Sequence, residues 1–88
     1  MPRILIVDDS ATMRKIIMRG LRKAGIENAD FKEAGDGVEG LKAMETTSFD
    51  LILSDVNMPN MNGLDFVKAV KEKMPTPPPI VMITTEGS

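Results

Sequence analysis

The 88-residue sequence contains neither cysteine nor histidine. Disulfide bonds, catalysis by a thiol or an imidazole, and the common zinc sites all need these side chains and are therefore excluded. A metal bound by this chain would have to be a hard cation held by oxygen ligands. The formal net charge is only −2, which gives no reason to expect a nucleic acid as the partner.

Long apolar runs are also missing. No stretch of the sequence approaches the roughly 20 apolar residues that a membrane-spanning helix needs, and the chain does not open with a signal-peptide pattern. The composition is 42% hydrophobic and 27% charged, which predicts a packed globule rather than a disordered chain. We therefore expect one small domain, residues 1–88, that is soluble in the cytoplasm and has no membrane partner.

What the sequence does contain is an alternation of short apolar runs and helical patterns. Runs at residues 4–7, 29–34, 51–53 and 80–83 predict four β-strands, of which the second is the most polar. The stretches between them carry apolar residues at helical spacing. Such alternation predicts an α/β fold, in which a parallel sheet has helices on its faces and right-handed crossovers join the strands.

Capping residues mark the ends of the predicted helices. Ser10 is a predicted N-cap and Gly25 ends the first helix, Asp36 opens the second, and Pro75 ends the third. Arg14 and the other basic residues of the first helix are interpreted as a solvated face. The apolar residues that we expect to face the sheet are Met13, Ile16, Ile17, Leu21 and Ala24, then Val38, Leu41 and Met44, then Leu64, Val67, Val70 and Met74.

Polar side chains follow the carboxyl ends of three predicted strands: Asp8 and Asp9, then Asp55, then Thr84 and Thr85. Taken singly, such aspartates are ordinary cap or turn residues, and threonine is common in strands. If strands one and three are neighbours, however, three carboxylates meet in one crevice, where like charges raise one another's pKa unless a cation intervenes. Mg²⁺ fits best, because it takes oxygen ligands, uses one or two carboxylates and keeps several waters.

The same cluster also suits phosphoryl transfer. An aspartate can accept a phosphoryl group and form an acyl phosphate. The protein then has to supply alignment and positive charge at the phosphoryl oxygens more than covalent chemistry. Hydroxyls and backbone amides of Thr84 and Thr85 would donate hydrogen bonds to those oxygens.

A competing enzyme hypothesis arises at residues 35–40, where GDGVEG fits the dinucleotide-binding fingerprint and Asp55 follows as a candidate ribose ligand. The strand before this motif is the most polar of the four, whereas the fingerprint needs a central buried strand. Asp36 would also place a negative charge beside the pyrophosphate. A turn followed by a helix start is the simpler interpretation.

Four stretches resemble the receiver domain of two-component response regulators, most closely its stand-alone chemotaxis members: ILIVDDSATMRKI, EAGDGVEGL, DLILSDVNMPNMNGLD and IVMITTEGS. They cover nearly the whole chain. The resemblance implies a flavodoxin-like, doubly wound parallel sheet with strand order 2-1-3-4-5. It also implies a histidine kinase as phosphoryl donor and a downstream protein target such as a flagellar motor component.

The resemblance further assigns roles to single residues. It implies that Asp55 is the phosphoacceptor and that Mg²⁺ is ligated by Asp9, Asp55 and the backbone carbonyl of Asn57, with Asp8 acting through the metal's waters. Thr84 would be the switch hydroxyl, and the backbone amide of Thr85 would contact the phosphoryl group. Positions 57 and 86, occupied by Asn57 and Glu86, tune dephosphorylation in the family.

The sequence departs from the family at one place. The family's fold continues through a further helix, a fifth strand and a last helix, and that strand supplies a lysine to the phosphoryl oxygens. No residue of this sequence matches that lysine, so we expect a truncated receiver whose sheet has the order 2-1-3-4. The alternative function is therefore a fragment that cannot switch and that self-associates through the fourth strand or the first helix.

Overall fold

The computed structural model describes residues 1–26 and 28–83. Within these ranges, strands and helices alternate along the chain. They are β1 (Arg3–Val7), α1 (Ala11–Lys23), β2 (Asp30–Ala34), α2 (Gly37–Thr46), β3 (Leu51–Asp55), α3 (Gly63–Lys73) and β4 (Ile80–Ile83). No helix in this described part of the chain is both long enough and apolar enough to cross a bilayer.

The four strands form one parallel sheet in the order β2-β1-β3-β4, which confirms the predicted fold class and strand order. β1 lies between β2 and β3, so that Val7 faces Ala34 on one side and Ser54 on the other. Asp55, the last residue of β3, lies opposite Ile83 of β4. Because all strands run in one direction, their carboxyl ends meet at one edge of the sheet.

Each face of the sheet has its own hydrophobic cluster, because successive side chains of a strand point to opposite faces. Leu5 and Val7 belong to a cluster that Phe66 and Val70 of α3 complete, with partly buried side chains of α2 packed against it. Ile4 and Ile6 belong to the other cluster, which α1 covers with partly buried Ile17, Met18 and Leu21. Helices therefore cover both faces, as a doubly wound sheet requires.

All three helices begin with a side-chain cap. The Ser10 hydroxyl accepts a hydrogen bond from the Met13 amide at 3.2 Å, and Asp36 Oδ1 accepts one from the Glu39 amide at 2.8 Å. Asn62 caps α3 in the same way. After α1, Gly25 has a φ of +102°, a left-handed conformation that glycine adopts at little cost. The predicted cap at Ser10 and the predicted end of α1 at Gly25 are thus confirmed.

The structure confirms one predicted strand boundary and corrects another. The strand of the apolar run 51–53 was expected to end at Ser54–Asp55, and β3 includes both residues, which pair with Met82 and Ile83 of β4. The second strand was expected to start at Ala29, but β2 starts at Asp30, whose amide donates to the Pro2 carbonyl at 2.7 Å.

Four apolar residues that were expected to face the sheet are exposed: Ile16, Ala24, Val38 and Leu64, the last with 64% of its surface accessible. In α3 the buried residues are Gly63, Phe66 and Val70, at spacings of three and four, which sets the buried face of that helix. Leu64 lies two residues before Phe66 and so falls on the far side. In α2, Gly40 rather than Val38 faces the core, and a Cβ at Gly40 would lie 2.9 Å from the Phe66 ring.

Candidate functional site

The site begins with Asp8, which follows the last residue of β1. Its amide donates to the Ala34 carbonyl of β2 at 3.1 Å, so its backbone extends the sheet by one residue. Its side chain is 1% exposed, and Oδ1 accepts a hydrogen bond from the Ser10 amide at 2.9 Å. Oδ2 is buried and accepts no hydrogen bond from any residue that the structure describes. A buried carboxylate oxygen in this state favours a cationic partner.

Asp55 occupies the equivalent place on the neighbouring strand, where it is also 1% exposed. Its backbone is packed tightly, because the start of α3 lies directly against it: a Cβ added at Gly63 would collide with the Asp55 carbonyl oxygen. The Ser54 hydroxyl donates to the same carbonyl at 3.0 Å. These contacts fix the point from which the Asp55 carboxylate projects.

The side chains of Asp8, Asp9 and Asp55 come together at this edge, with one ligand oxygen of each within 4.8 Å of the others. The reason is topological: Val7 and Ser54 are paired across β1 and β3, so the next residues of the two strands lie side by side. Asp9 is exposed, whereas the other two carboxylates are buried. The cluster thus has two buried oxygen sources and one that opens toward solvent.

The electrostatics of the cluster are unfavourable for three ionised carboxylates. Burial raises the pKa of the Asp8 carboxyl above its ordinary value of 3.8, and the charges of Asp55 and Asp9 raise it further, against the opposing effect of the Ser10 amide. A cation would reverse this penalty, because it favours the ionised form of every carboxylate around it. The oxygen-only donor set fits a hard divalent cation such as Mg²⁺.

Arg14 is the residue at this site that sequence analysis misplaced. It was assigned to a solvated face, but its side chain is only 18% exposed and spans from α1 to β2. Its guanidinium donates to the Asp8 carbonyl at 2.6 Å and to Glu33 Oε1 at 3.0 Å. The available signal was its position four residues after the Ser10 cap, close to the carboxyl end of β1. Arg14 therefore holds the backbone that presents the carboxylates.

Of the remaining predicted site residues, only Asn57 belongs to the part of the chain that the structure describes. Asn57 is an exposed residue of the loop between β3 and α3. Thr84, Thr85 and Glu86 lie outside the described residues.

Two grooves lie at the opposite edge of the sheet, near the carboxyl ends of α2 and α3. One, of about 210 Å³, has Met44, Val70 and Met74 in its wall. The other, of about 420 Å³, runs from Met44 and Met74 along the segment that precedes β4. Neither includes a carboxylate of the cluster.

Known proteins resemble this chain in both sequence and fold. The chemotaxis protein CheY1 of Helicobacter pylori is 45% identical over 87 residues, a match that covers 97% of this chain and 68% of that protein. The chemotaxis protein CheY of Pseudomonas aeruginosa is 41% identical over 86 residues, with the same coverage. The chain therefore spans about two thirds of the length of these relatives.

Solved structures give the same result. A structure of the chemotaxis protein CheY4 of Vibrio cholerae superposes with a TM-score of 0.80 at 42% identity, covering 100% of this chain and 72% of that one. A structure of the response regulator protein TrrA of Thermotoga maritima, in complex with Mg²⁺-BeF, superposes with a TM-score of 0.85 at 29% identity and covers 99% and 72%. Residues 4–88 match the response regulator receiver domain, and the chain belongs to that family.

Proposed function

We propose that this receiver domain, residues 1–88, is the phosphoacceptor of a chemotaxis-type two-component phosphorelay in the cytoplasm, and that Asp55 takes the phosphoryl group from a histidine kinase. The observation that carries the proposal is the convergence of Asp55 with Asp8 and Asp9 at the carboxyl edge of the sheet. The similarity to chemotaxis proteins supports the chemotaxis assignment. A downstream protein target, such as a flagellar motor component, is part of the same proposal.

The proposed transfer is a displacement at phosphorus. A carboxylate oxygen of Asp55 attacks the phosphorus atom, the bond between phosphorus and the donor nitrogen breaks, and the electron pair of that bond stays with the donor imidazole. The protein's part is to hold the nucleophile in line. The support for this is the packing of the Asp55 backbone between Ser54, β4 and the start of α3.

We infer that the cofactor is Mg²⁺. Asp9, Asp55 and the backbone carbonyl of Asn57 would hold it, and Asp8 would act through its water ligands. When bound, the ion neutralises charge on the transferring phosphoryl oxygens. The buried Oδ2 of Asp8 and the raised pKa of its carboxyl fit a cation at this place. The switch role of Thr84 and the phosphoryl contact of the Thr85 amide stay predictions from the sequence.

The test is mass spectrometry after treatment with acetyl phosphate and Mg²⁺. We expect one added phosphoryl group in the wild type, located on Asp55, and none in Asp55→Asn. Asp65→Asn is the matched control, because Asp65 is an exposed aspartate of α3 and lies outside the cluster. Modification that persists in Asp55→Asn would show that another residue is the acceptor.

Self-association is a second candidate property of this chain. In the described residues, β4 is an outer strand of the sheet, and its Val81 side chain is 47% exposed. An outer strand with an exposed apolar residue offers unpaired backbone groups to a second copy. Sedimentation at tens of micromolar tests this, with Val81→Lys expected to weaken any association; a monomer in the wild type would remove the candidate.

A further inference from the structure

The loop between β3 and α3 is closed at its base. The Val56 amide donates to the Ile83 carbonyl of β4 at 3.3 Å, and the Val56 carbonyl accepts from the Gly63 amide at 2.8 Å. Residues 57–62 are therefore a short excursion that starts and ends beside Asp55. Asn57, whose carbonyl is the proposed Mg²⁺ ligand, lies in the first part of this excursion.

The tip of the loop has an unusual backbone. The Met61 amide donates to the Pro59 carbonyl at 2.6 Å, which closes a three-residue γ-turn around Asn60. Asn60 has a φ of +66°, the one positive value among the described non-glycine residues. A γ-turn with positive φ is rare and strained, and such a conformation persists only where surrounding contacts hold it.

The contact that holds the tip comes from the GDGVEG segment. Asn60 Nδ2 donates to Asp36 Oδ2 at 2.8 Å, while Asp36 Oδ1 caps α2 by accepting from the Glu39 amide at 2.8 Å. Met61 packs beside the same turn, since a Cβ added at Gly37 would lie 2.8 Å from the Met61 side chain. One carboxylate thus joins the start of α2 to the tip of the loop. We call this contact the Asp36–Asn60 bridge.

We propose that the Asp36–Asn60 bridge is a positioning pair that preorganises the β3–α3 loop for Mg²⁺ binding. With its base fixed by Gly63 and its tip fixed by Asp36, the loop presents the Asn57 carbonyl without having to be ordered when the ion arrives. Preorganisation of this kind raises affinity because less conformational freedom is lost on binding. The inference rests on the proposed metal site and adds two residues that do not touch the ion.

The test compares two variants. Asn60→Gly removes the bridge without changing charge, and glycine adopts the positive φ without steric strain. The double variant Asp36→Asn with Asn60→Asp exchanges donor and acceptor: the new amide keeps the α2 cap through its oxygen and donates its N–H to the new carboxylate. It also keeps the wild-type net charge. Asn28→Gly, at the amino edge of the sheet, is the control for a generic loss of asparagine.

Both measurements use ¹⁵N-labelled protein. Titration with Mg²⁺ alone, followed by amide shifts, gives Kd, and hydrogen exchange of the Met61 and Gly63 amides in metal-free protein reports loop order. We expect Asn60→Gly to raise Kd about two- to fivefold, the effect of one exposed hydrogen bond, and to speed exchange at Met61. The exchanged double variant and Asn28→Gly should match the wild type.

Each outcome decides the proposal. An unchanged Kd in Asn60→Gly, with normal Mg²⁺ binding by the wild type, overturns the bridge's role and leaves the metal site standing. If Kd is raised in Asn60→Gly and is raised equally in the double variant, which keeps a donor and an acceptor across the bridge, the loss of affinity comes from the loop backbone. That result also overturns the bridge's role. If the wild type does not bind Mg²⁺, the metal site and the positioning role fall together, whatever the exchange rates show.

Discussion

Replacing Asp8 by asparagine should stabilise the metal-free protein at neutral pH. The carboxylate is 1% exposed, its Oδ2 accepts no hydrogen bond from the described residues, and two further carboxylates lie within 4.8 Å. Asparagine has the same shape, keeps an oxygen for the Ser10 amide, and places an N–H₂ donor among acidic acceptors. The relief should be about 1–3 kcal/mol, the usual cost of a buried polar group without a partner.

The pH dependence follows from the sign of the pKa shift. Burial raises the pKa of Asp8 above 3.8, so the folded chain holds this proton to higher pH than the unfolded chain does. The protonated Asp8 carboxyl contributes stability that is fully present below pH 3.8 and is lost as the pH rises through the pKa of the folded chain. The advantage of Asp8→Asn should therefore be absent in acid and should grow over that same window.

Circular dichroism melts are the assay, since the chain has no tryptophan or tyrosine to follow by fluorescence. A gain of 1 kcal/mol should raise Tm by about 4–8 °C in a domain of this size. Millimolar Mg²⁺ should stabilise the wild type, by about 2.7 kcal/mol at a hundredfold excess over Kd, and should stabilise Asp8→Asn less. Asp30→Asn removes an exposed charge outside the cluster, so it should keep the metal-free Tm and the Mg²⁺ stabilisation of the wild type. If Asp8→Asn lowers the metal-free Tm at neutral pH, the argument from electrostatic cost is wrong.

Four further substitutions test the packing and the hydrogen bonds of the fold. Gly63→Ala should cost more than about 2 kcal/mol in denaturant unfolding, because its Cβ would meet the Asp55 carbonyl and lie 2.9 Å from Val56 Cα. Gly20→Ala, with open space around it, should instead stabilise by about 0.5–1 kcal/mol. Arg14→Lys should lower the free energy of unfolding by about 1–2 kcal/mol, because one ammonium cannot reproduce the guanidinium's contacts with both Glu33 and the Asp8 carbonyl. Hydrogen bonds from the Glu39 amide and then from Asn60 lower the pKa of Asp36, so the ionised carboxylate stabilises the fold above pH 3.8. This contribution should be lost as the pH falls from 3.8 through the lowered pKa. In acid melts, Asp36→Asn should therefore show a smaller fall of Tm over this pH range.

Much of the architecture followed from local pattern. The apolar runs before Asp8 and Asp55 predicted buried parallel strands, and the capping residues placed the start and end of α1 correctly. Convergence of the carboxylates then needed a single further condition, that strands one and three are neighbours. The register between Val7 and Ser54 meets that condition.

The features that sequence analysis missed depend on contacts between distant segments. Arg14 could have pointed into solvent; what holds it is Glu33, 19 residues away on β2. The bridge from Asn60 to Asp36 spans 24 residues and needs a rare turn around Asn60. Helical spacing gave the period of α3 but not its phase, which the close fit of Phe66 against Gly40 sets. Local pattern cannot supply that tertiary information.

The position of the carboxylates explains why the fold tolerates them. Asp8 directly follows β1, and Asp55 is the last residue of β3. These are the two inner strands of the described sheet, and their side chains supply most of the buried core. Placing the cluster there gives it burial and rigid backbone anchors, and the same burial makes ionised Asp8 unfavourable. Stability and charge at the site therefore oppose one another in the metal-free protein, a relation that is common at functional sites. Binding of a cation or a change of charge at this edge acts on the two inner strands of the sheet. A change of charge at Asp55 should therefore alter the free energy of unfolding of the whole domain, rather than the order of one loop alone.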